Sequence, residues 1–308
     1  RSLVAAATIG LCLVAAVRYW RSFVFSRMPL PHAIVYAALW IALAQWIMAT
    51  SSIWHHSWWI YHYLLLGAVV ALLVGIFLQY VRGESLQRAV RGLLLADPVE
   101  RLDVGLSPSV RALVLATEAR DPYTAGHSYR VAVTAVRIGQ ALNLAAAELR
   151  ALAIGGLVHD IGKIEVPDHI LNKPGPLAPQ ERRIIQQHPE AGYRICRNVG
   201  FMCMELDVIR YHHERWDGKG YPAGLAGEAI PRLARILAVA DAYDALTSNR
   251  SYRTAYTHEE AYRLILAGAG AAFDPDVVRA WASLAKEAPV VDASQTAPWS
   301  APRAVPAS

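Results

Sequence analysis

Apolar positions are arranged along this chain in two ways, and the change falls near residue 82. Before it they run in long, almost uninterrupted blocks; after it they recur every three or four residues. Residues 3–17, "LVAAATIGLCLVAAV", carry no charge, and residues 33–50 and 60–81 are as apolar and longer. A bilayer core takes about 20 residues of helix, so the second block reaches that length and the third exceeds it. The chain opens on Arg rather than Met, which would make the first block the remainder of a longer span. No small-x-small cleavage site with a polar start beyond it follows that block, which argues against a signal peptide. Tyr19, Trp20, Trp54, Trp58, Trp59 and Tyr61 cluster at the block ends, as an aromatic belt does. Residues 1–81 are therefore expected to form a membrane region of about three transmembrane helices.

The second pattern begins with residues 82–103, "RGESLQRAVRGLLLADPVERLD". Its amphipathic, charged character fits a juxtamembrane linker helix ending near Pro98, and equally a solvated linker. From 104 to 287 the period is helical: Val131, Ala135, Ile138 and Leu142 share one stripe of "HSYRVAVTAVRIGQALNL". The segments "AAAELRALAIGGLVHDIG", "PQERRIIQQH", "PEAGYRICRNV", "ELDVIRYHH", "PRLARILAVADAYDALTS" and "HEEAYRLILAGA" repeat it, with Pro, Gly and Asn between them. No alternating strand pattern occurs, so the fold class expected is all-α. Residues 288–308 are rich in Pro, Ala and Ser and read as a disordered tail.

Composition sharpens the membrane reading. Hydrophobic residues make up 55% of the chain and mean hydropathy is +0.25, with the excess before residue 82. A net charge of +5 and pI ≈ 9.2 could point to nucleic acid, but much of the positive charge flanks the apolar blocks. Arg18, Arg21 and Arg27 follow the first block, "SSIWHHSWW" between the second and third has no Lys or Arg, and Arg82, Arg88 and Arg91 follow the third. The positive-inside rule places the first connection and everything after residue 82 in the cytoplasm, as a multi-pass inner-membrane protein. His55, His56 and His62 read more readily as interfacial polar anchors than as a metal or pH-sensing site. Cys12, Cys196 and Cys203 form no CxxC pair and no disulfide framework, consistent with a reducing compartment.

The chemistry lies in the helical part. Five histidines and two aspartates (His127, His159, Asp160, His188, His212, His213 and Asp241) fall at or near helix ends. Each alone reads as a packing histidine or a cap; in "LVHDIGKIEVP" Asp160 could cap a neighbouring element and His159 could be a core histidine. Together they suit Fe, Mn or Zn, and the lack of a nearby cysteine argues against a Cys-type structural zinc site. Adjacent residues on a helix point about 100° apart, so a His-Asp or His-His pair serves two metals, or one metal and its surroundings. Seven donors are too many for one tetrahedral ion, whereas two ions sharing Asp160 as a bridge would use them all. Such a pair, about 3.5–4 Å apart, suits phosphodiester hydrolysis, because it activates water at neutral pH and stabilises the attacking and leaving oxygens. Lys163, one turn after His159, is placed to neutralise the phosphate or assist the leaving group. Asp244 shares a helix face with Asp241 and could orient one of the donors.

Five motifs in order, "RDPYTAGHSYRV", "LVHDIGKIEVPDHIL", "HPEAGYRI", "YHHERWDGKGYPAGLAGEAIP" and "ARILAVADAYDALTSNRSYR", resemble the HD-GYP family, the helical cyclic-di-GMP phosphodiesterases of the HD superfamily. The resemblance covers about residues 104–285. It implies a cytoplasmic HD-domain-like bundle with a dinuclear metal site. One metal would take His127, His159, Asp160 and Asp241; the other would take Asp160, His188, His212 and His213. It implies cyclic di-GMP as substrate, with pGpG and GMP as products, and substrate contacts from Tyr221, Arg250 and Arg253. An aromatic face stacks on guanine and Arg forks suit phosphate. The implied cofactors are two divalent ions, Fe or Mn ahead of Zn. The implied partners are the dinucleotide and the membrane, with a homodimer left open and no nucleic acid polymer.

Four departures stand out. Members with three metals carry a glutamate at the position of Tyr123, so two metals are expected here. Glu165 replaces the usual Gly, Asn249 the usual Asp before Arg250, and Ser251 the usual Pro after it; none removes a donor. Two other readings remain: a module that binds nucleotide or partner without turnover, which the intact donor set disfavours, and an HD phosphohydrolase on another nucleotide, which the GYP loop disfavours.

Overall fold

The computed structural model describes residues 2–26, 29–50, 55–81, 108–121, 126–249 and 254–292. The chain divides into two compact units, Arg1–Ser107 and Pro108–Ser308. Among the described residues the first unit holds three helices, α1 (Ser2–Ser26), α2 (Pro29–Thr50) and α3 (His56–Val81). Each contains a stretch long and apolar enough to cross a bilayer: Val4–Val24, Pro29–Thr50 and His56–Leu78. The middle helix packs against both others, and Ala16, Val35 and Ala38 form a small buried cluster between α1 and α2. Small side chains suit this contact, since lipid tails remove the hydrophobic drive between helices and close van der Waals approach replaces it.

One expectation needs correction here. The first helix does not stop at residue 17 but continues through Arg18 and Arg21 to Ser26, so these two arginines are helical and do not sit in a connecting loop. Arginine is a good helix former, and its aliphatic stem can lie along apolar surface while its head reaches water. The third arginine, Arg27, lies outside the described residues, as do Trp54, the 82–103 segment and the tail from 293 onward. Within α3, His62 Nδ1 donates to the Trp58 carbonyl at 2.8 Å, in keeping with a polar anchor.

The second unit is helical, as its periodicity predicts. Its described helices are α4 (Pro108–Arg120), α5 (His127–Ala141), α6 (Ala146–Val158), a short α7 (Asp168–Leu171), α8 (Pro179–Ile185), α9 (His188–Val199), α10 (Cys203–Tyr211), α11 (Arg232–Thr247), α12 (His258–Ala267) and α13 (Pro275–Ala285). Two 3₁₀ turns, Ile161–Glu165 and Gly227–Ala229, complete the regular structure. Among the described residues there is no β-strand, only two isolated bridges. The centre of the unit is α5, buried around its whole circumference from His127 to Val136 and packed on α6, α11 and α13. Val131, Ala132, Val133, Ala135 and Val136 supply the apolar part of that enclosure, and the polar His127, Ser128, Arg130 and Thr134 are buried with them. The neighbouring α6 is buried from Ala151 to Val158 and packs on α10.

Two contacts fix the turn that follows α6. A Cβ on Gly162 would lie 1.9 Å from the His188 carbonyl oxygen and 2.6 Å from the Gly192 nitrogen, so only glycine lets the turn rest on the first turn of α9. On the other side, the Arg120 guanidinium at the end of α4 donates to the Ile164 carbonyl, to the Val166 carbonyl at 3.1 Å and to Asp168 Oδ1 at 2.5 Å. The segment carrying His159, Asp160 and Lys163 is thus clamped between two helices.

Candidate metal centre

The local rule that places three of the histidines is simple. His159 follows α6, His212 follows α10, and His188 lies three residues after the last residue of α8. The last carbonyls of a helix have no partner in the helical ladder. Each imidazole folds back onto the carbonyl three residues earlier: His159 Nδ1 donates to Gly156 O at 2.7 Å, His188 Nδ1 to Ile185 O at 2.8 Å and His212 Nδ1 to Ile209 O at 2.7 Å. A carbonyl can only accept, so Nδ1 carries the proton and the Nε2 lone pair faces inward. The fourth, His127, opens α5 and donates from Nδ1 to Asp244 Oδ2 at 2.7 Å.

These lone pairs converge on two carboxylates. His127 Nε2 lies 3.2 Å from Asp241 Oδ1, and His159 Nε2 is 3.9 Å from the same oxygen. Asp160 sits between two groups, with Oδ2 3.4 Å from His159 Nε2 and 3.9 Å from His127 Nε2, and Oδ1 3.3 Å from His188 Nε2. His188 and His212 bring their Nε2 atoms within 3.3 Å of each other, and the His213 ring lies 4.1 Å from His212 and 5.1 Å from His188 between centroids. Donor atoms of His127, His159 and Asp241, of His188, His212 and His213, and of His159, Asp160 and His212 fall within 4.8 Å of one another in each set. The structure therefore brings together all seven residues singled out in the sequence.

The charges support a cation. Burial works against both carboxylates, yet Lys163 and the neighbouring histidines hold Asp160, and the His127 hydrogen bond with nearby histidines holds Asp241, well below the usual carboxylate range. Burial keeps His159 and His212 neutral and pushes His213 down to about 3, neighbouring histidine charge adding to the effect for His212 and His213. His127 behaves differently: burial opposes its charge, but hydrogen bonds to Asp241 and Asp244 outweigh it and raise the group to about 9. His159 Nε2 is buried with no hydrogen-bond partner. An orphaned lone pair among ionised carboxylates and neutral imidazoles is a donor set that fits a divalent metal.

The site opens into a cleft of ≈ 510 Å³. Lys163 and Tyr221 line it beside the metal donors, and Ile185, Leu246, Leu264 and Phe273 form an apolar wall. Lys163 Nζ is 2.6 Å from Asp160 Oδ2 and 3.8 Å from Asp121 Oδ2. Tyr221 packs on His213 with ring centroids 4.8 Å apart. Arg250, Arg253, Ser251 and Tyr123 lie outside the described residues; Asn249 accepts from the Ala255 N–H at 2.9 Å.

Three residues escaped the sequence reading. Arg130 grips Asp244 through Nε at 2.6 Å and a terminal nitrogen at 3.0 Å, completing a buried His127–Asp244–Arg130 row. Its signal was its place three residues after His127 on one helix face. Arg120 opens the first motif and Glu214 lies within the fourth, but nothing in their neighbours along the chain reveals the backbone they hold.

A helical unit with a buried His/Asp cluster at the mouth of a cleft defines a class, and the family can be named. The HD domain family matches residues 114–277, and the chain belongs to it. Among curated relatives, a cyclic di-GMP phosphodiesterase of Pseudomonas aeruginosa is 37% identical over 223 residues, covering 71% of this chain and 52% of that protein. A cyclic di-GMP phosphodiesterase of Thermotoga maritima is 40% identical over 177 residues, covering 57% and 48%. A 3'3'-cGAMP-specific phosphodiesterase of Vibrio cholerae is 39% identical over 168 residues, covering 54% and 32%. The chain spans about half the length of the first two relatives. These names agree with the resemblance read from the motifs.

Proposed function

We propose that the chain is a membrane-anchored, metal-dependent phosphodiesterase that hydrolyses cyclic di-GMP, to pGpG and onward to GMP. The observation that carries this reading is the convergence of seven buried or half-buried His and Asp donors at a cleft that also presents Lys163. Relatives of 37–40% identity named for that substrate support it. Two divalent ions, one held by His127, His159, Asp160 and Asp241 and the other by Asp160, His188, His212 and His213, would supply the nucleophile and the charge stabilisation for phosphodiester cleavage. The two Asp160 oxygens face different histidines, which is what a bridging carboxylate needs. Four protein donors per ion, with a phosphate still to be accommodated, favour Fe or Mn over tetrahedral Zn.

The side chains have separable tasks. Lys163 brings a cation to the floor of the cleft, where it meets phosphate charge. Asp244 holds the Nδ1 proton of His127 and so aims Nε2 at Asp241. Tyr221 offers an aromatic face to a guanine, and the apolar wall from Ile185 to Phe273 takes the opposite side of the ligand. Arg250 and Arg253, by resemblance, contact its phosphates. A second reading, another cyclic dinucleotide as substrate, is favoured by the relative named for 3'3'-cGAMP. In the membrane, three spans with Arg18, Arg21 and Arg27 towards the end of the first, none between the second and third, and Arg82, Arg88 and Arg91 after the third would place the second unit in the cytoplasm.

The test is hydrolysis by the full chain in detergent, loaded anaerobically with Fe(II), Mn(II) or Zn(II), with cyclic di-GMP and 3'3'-cGAMP as competing substrates. Turnover of cyclic di-GMP to linear products is expected. Fully metal-loaded protein that cleaves neither substrate would refute the reading.

A further inference from the structure

Glu214 follows the His212–His213 pair directly and is only 3% exposed. Its carboxylate turns to the loop beyond. One oxygen, Oε1, accepts from the Ala223 N–H at 2.7 Å and the Gly224 N–H at 3.0 Å, and Oε2 accepts from the Leu225 N–H at 3.0 Å. Burying a carboxyl group is costly unless hydrogen bonds replace its water, and three successive backbone donors do so here. Two further contacts pin the start of the same loop. Tyr221 N–H donates to the His213 carbonyl at 3.2 Å. A Cβ on Gly220 would fall 2.4 Å from the Arg215 nitrogen and 2.5 Å from Glu214 Cα, so the loop lies directly on the His213–Arg215 backbone. Tyr221 emerges from this arrangement with its ring 4.8 Å from that of His213, lining the cleft.

We propose that Glu214 is a positioning residue for the dinucleotide: it staples residues 223–225 and thereby holds the Tyr221 ring at the cleft against His213. The inference rests on the phosphodiesterase reading of the site. It separates Glu214 from the metal donors on one side and from residues that touch substrate on the other. A glutamine at this position keeps one oxygen but turns an amide NH₂ toward a backbone N–H, donor against donor.

The experiment compares wild type, Glu214→Gln, Tyr221→Ala and the double variant, all as full chain in detergent. In Glu214→Gln, KM for cyclic di-GMP should rise about tenfold with kcat within about twofold, because binding contacts are lost equally in ground and transition states. Metal content should match wild type. In the Tyr221→Ala background the same substitution should change KM by less than about twofold, since residues acting as one unit are not additive. Amide exchange of residues 223–225 should be slow in wild type, a measurement that needs no variant to fold, and faster in Glu214→Gln. Additive effects of the two substitutions, an unchanged KM, loss of metal in Glu214→Gln, or fast exchange of 223–225 in wild type would each overturn the proposal. If wild type cleaves no cyclic dinucleotide, the functional reading falls and the substrate half of this proposal with it, while the exchange data still decide the staple.

Discussion

Replacing Asp244 with Asn should change the proton released on metal binding, and the geometry gives the size of the effect. In the metal-free chain His127 stands between Asp244 at Nδ1, 2.7 Å away, and Asp241 at Nε2, 3.2 Å away. Burial disfavours its charge, but these hydrogen bonds win and raise it to about 9. At pH 7.5 the imidazolium then outnumbers the neutral form by about 30 to 1. A cation taking Nε2 must displace that proton. His159, His212 and His213 are held neutral and Asp160 and Asp241 ionised, so none of these five adds a proton to the count. About one proton per chain should therefore leave His127 at pH 7.5, and the number should fall as pH rises through 9. A raised histidine stabilises the fold fully below its ordinary value of 6.5 and loses that contribution as pH climbs to 9, so the metal-free chain should weaken across the same window.

In Asp244→Asn one of the two anionic partners is gone while Asp241 and Arg130 stay, and His127 should fall below its wild-type value of about 9. Two effects on affinity then oppose each other. Displacing the wild-type proton at pH 7.5 costs about 2 kcal/mol, a penalty that the variant escapes in part, Asp241 remaining beside Nε2. Losing the carboxylate behind a metal-binding histidine costs about 10- to 100-fold, or about 1.4–2.7 kcal/mol. At pH 7.5 the two partly offset each other; at pH 9.0, where half of the wild-type proton is already gone, the variant should bind on the order of tenfold more weakly. Anaerobic titration calorimetry with Mn(II), in buffers of different ionisation enthalpy, reads both the proton count and the affinity. An equal proton count in the two proteins, or an affinity ratio that stays constant with pH, would refute the reasoning.

Further expectations concern the bridge, the cation in the cleft, the substrate contacts and the membrane. Asp160→Ala should lose both metals, since its two oxygens face both donor groups; elemental analysis showing a full complement would remove the bridging role. Lys163→Ala should lower kcat/KM for cyclic di-GMP about 10- to 100-fold with metal retained, and wild-type kinetics would show that the phosphate charge is met elsewhere. Arg250→Ala and Arg253→Ala should each cost about 10- to 100-fold in catalytic efficiency, and Tyr221→Ala about 1–3 kcal/mol with Tyr221→Phe much less; loss of metal in these variants would make them structural. A reporter fused after residue 95 should be active in the cytoplasm and one within residues 51–59 on the opposite side, the reverse pattern overturning the orientation.

The sequence was most legible where one residue type carries a specific chemistry or where spacing sets a period. Helices α5, α6 and α8 to α12 follow from apolar recurrence, because a buried helix must repeat its apolar positions every three to four residues. The metal donors stand out because histidine beside aspartate at the end of an apolar run is poorly explained by packing once several such sites accumulate. Where the reading of α1 stopped short, the cause was a rule that treats arginine as a boundary. Helix propensity does not stop at a charge, and Arg18 and Arg21 continue the helix. The apolar wall of the cleft was invisible because α8, α11, α12 and Phe273 contribute to it from separate segments, each with a residue that looks like ordinary core.

The deeper asymmetry is between donors placed by their own helix and donors placed from afar. His159, His188 and His212 each find their Nδ1 acceptor three residues back, so a helix end followed by histidine contains everything needed to aim Nε2. That device is local and could be sought in sequence as an apolar helical run closing on histidine. His127 opens its helix and has no preceding turn to fold onto; its acceptor is Asp244, 117 positions away, steadied by Arg130. The difference has a chemical result. Burial keeps His159 and His212 neutral, whereas hydrogen bonds to two carboxylates outweigh burial and make His127 basic enough to stay protonated near neutral pH. His127, supported from afar, is thus a donor whose proton must leave for a cation to enter. In this site, control over that proton therefore sits in a contact that joins the first turn of α5 to α11, between residues of two motifs that also carry donors.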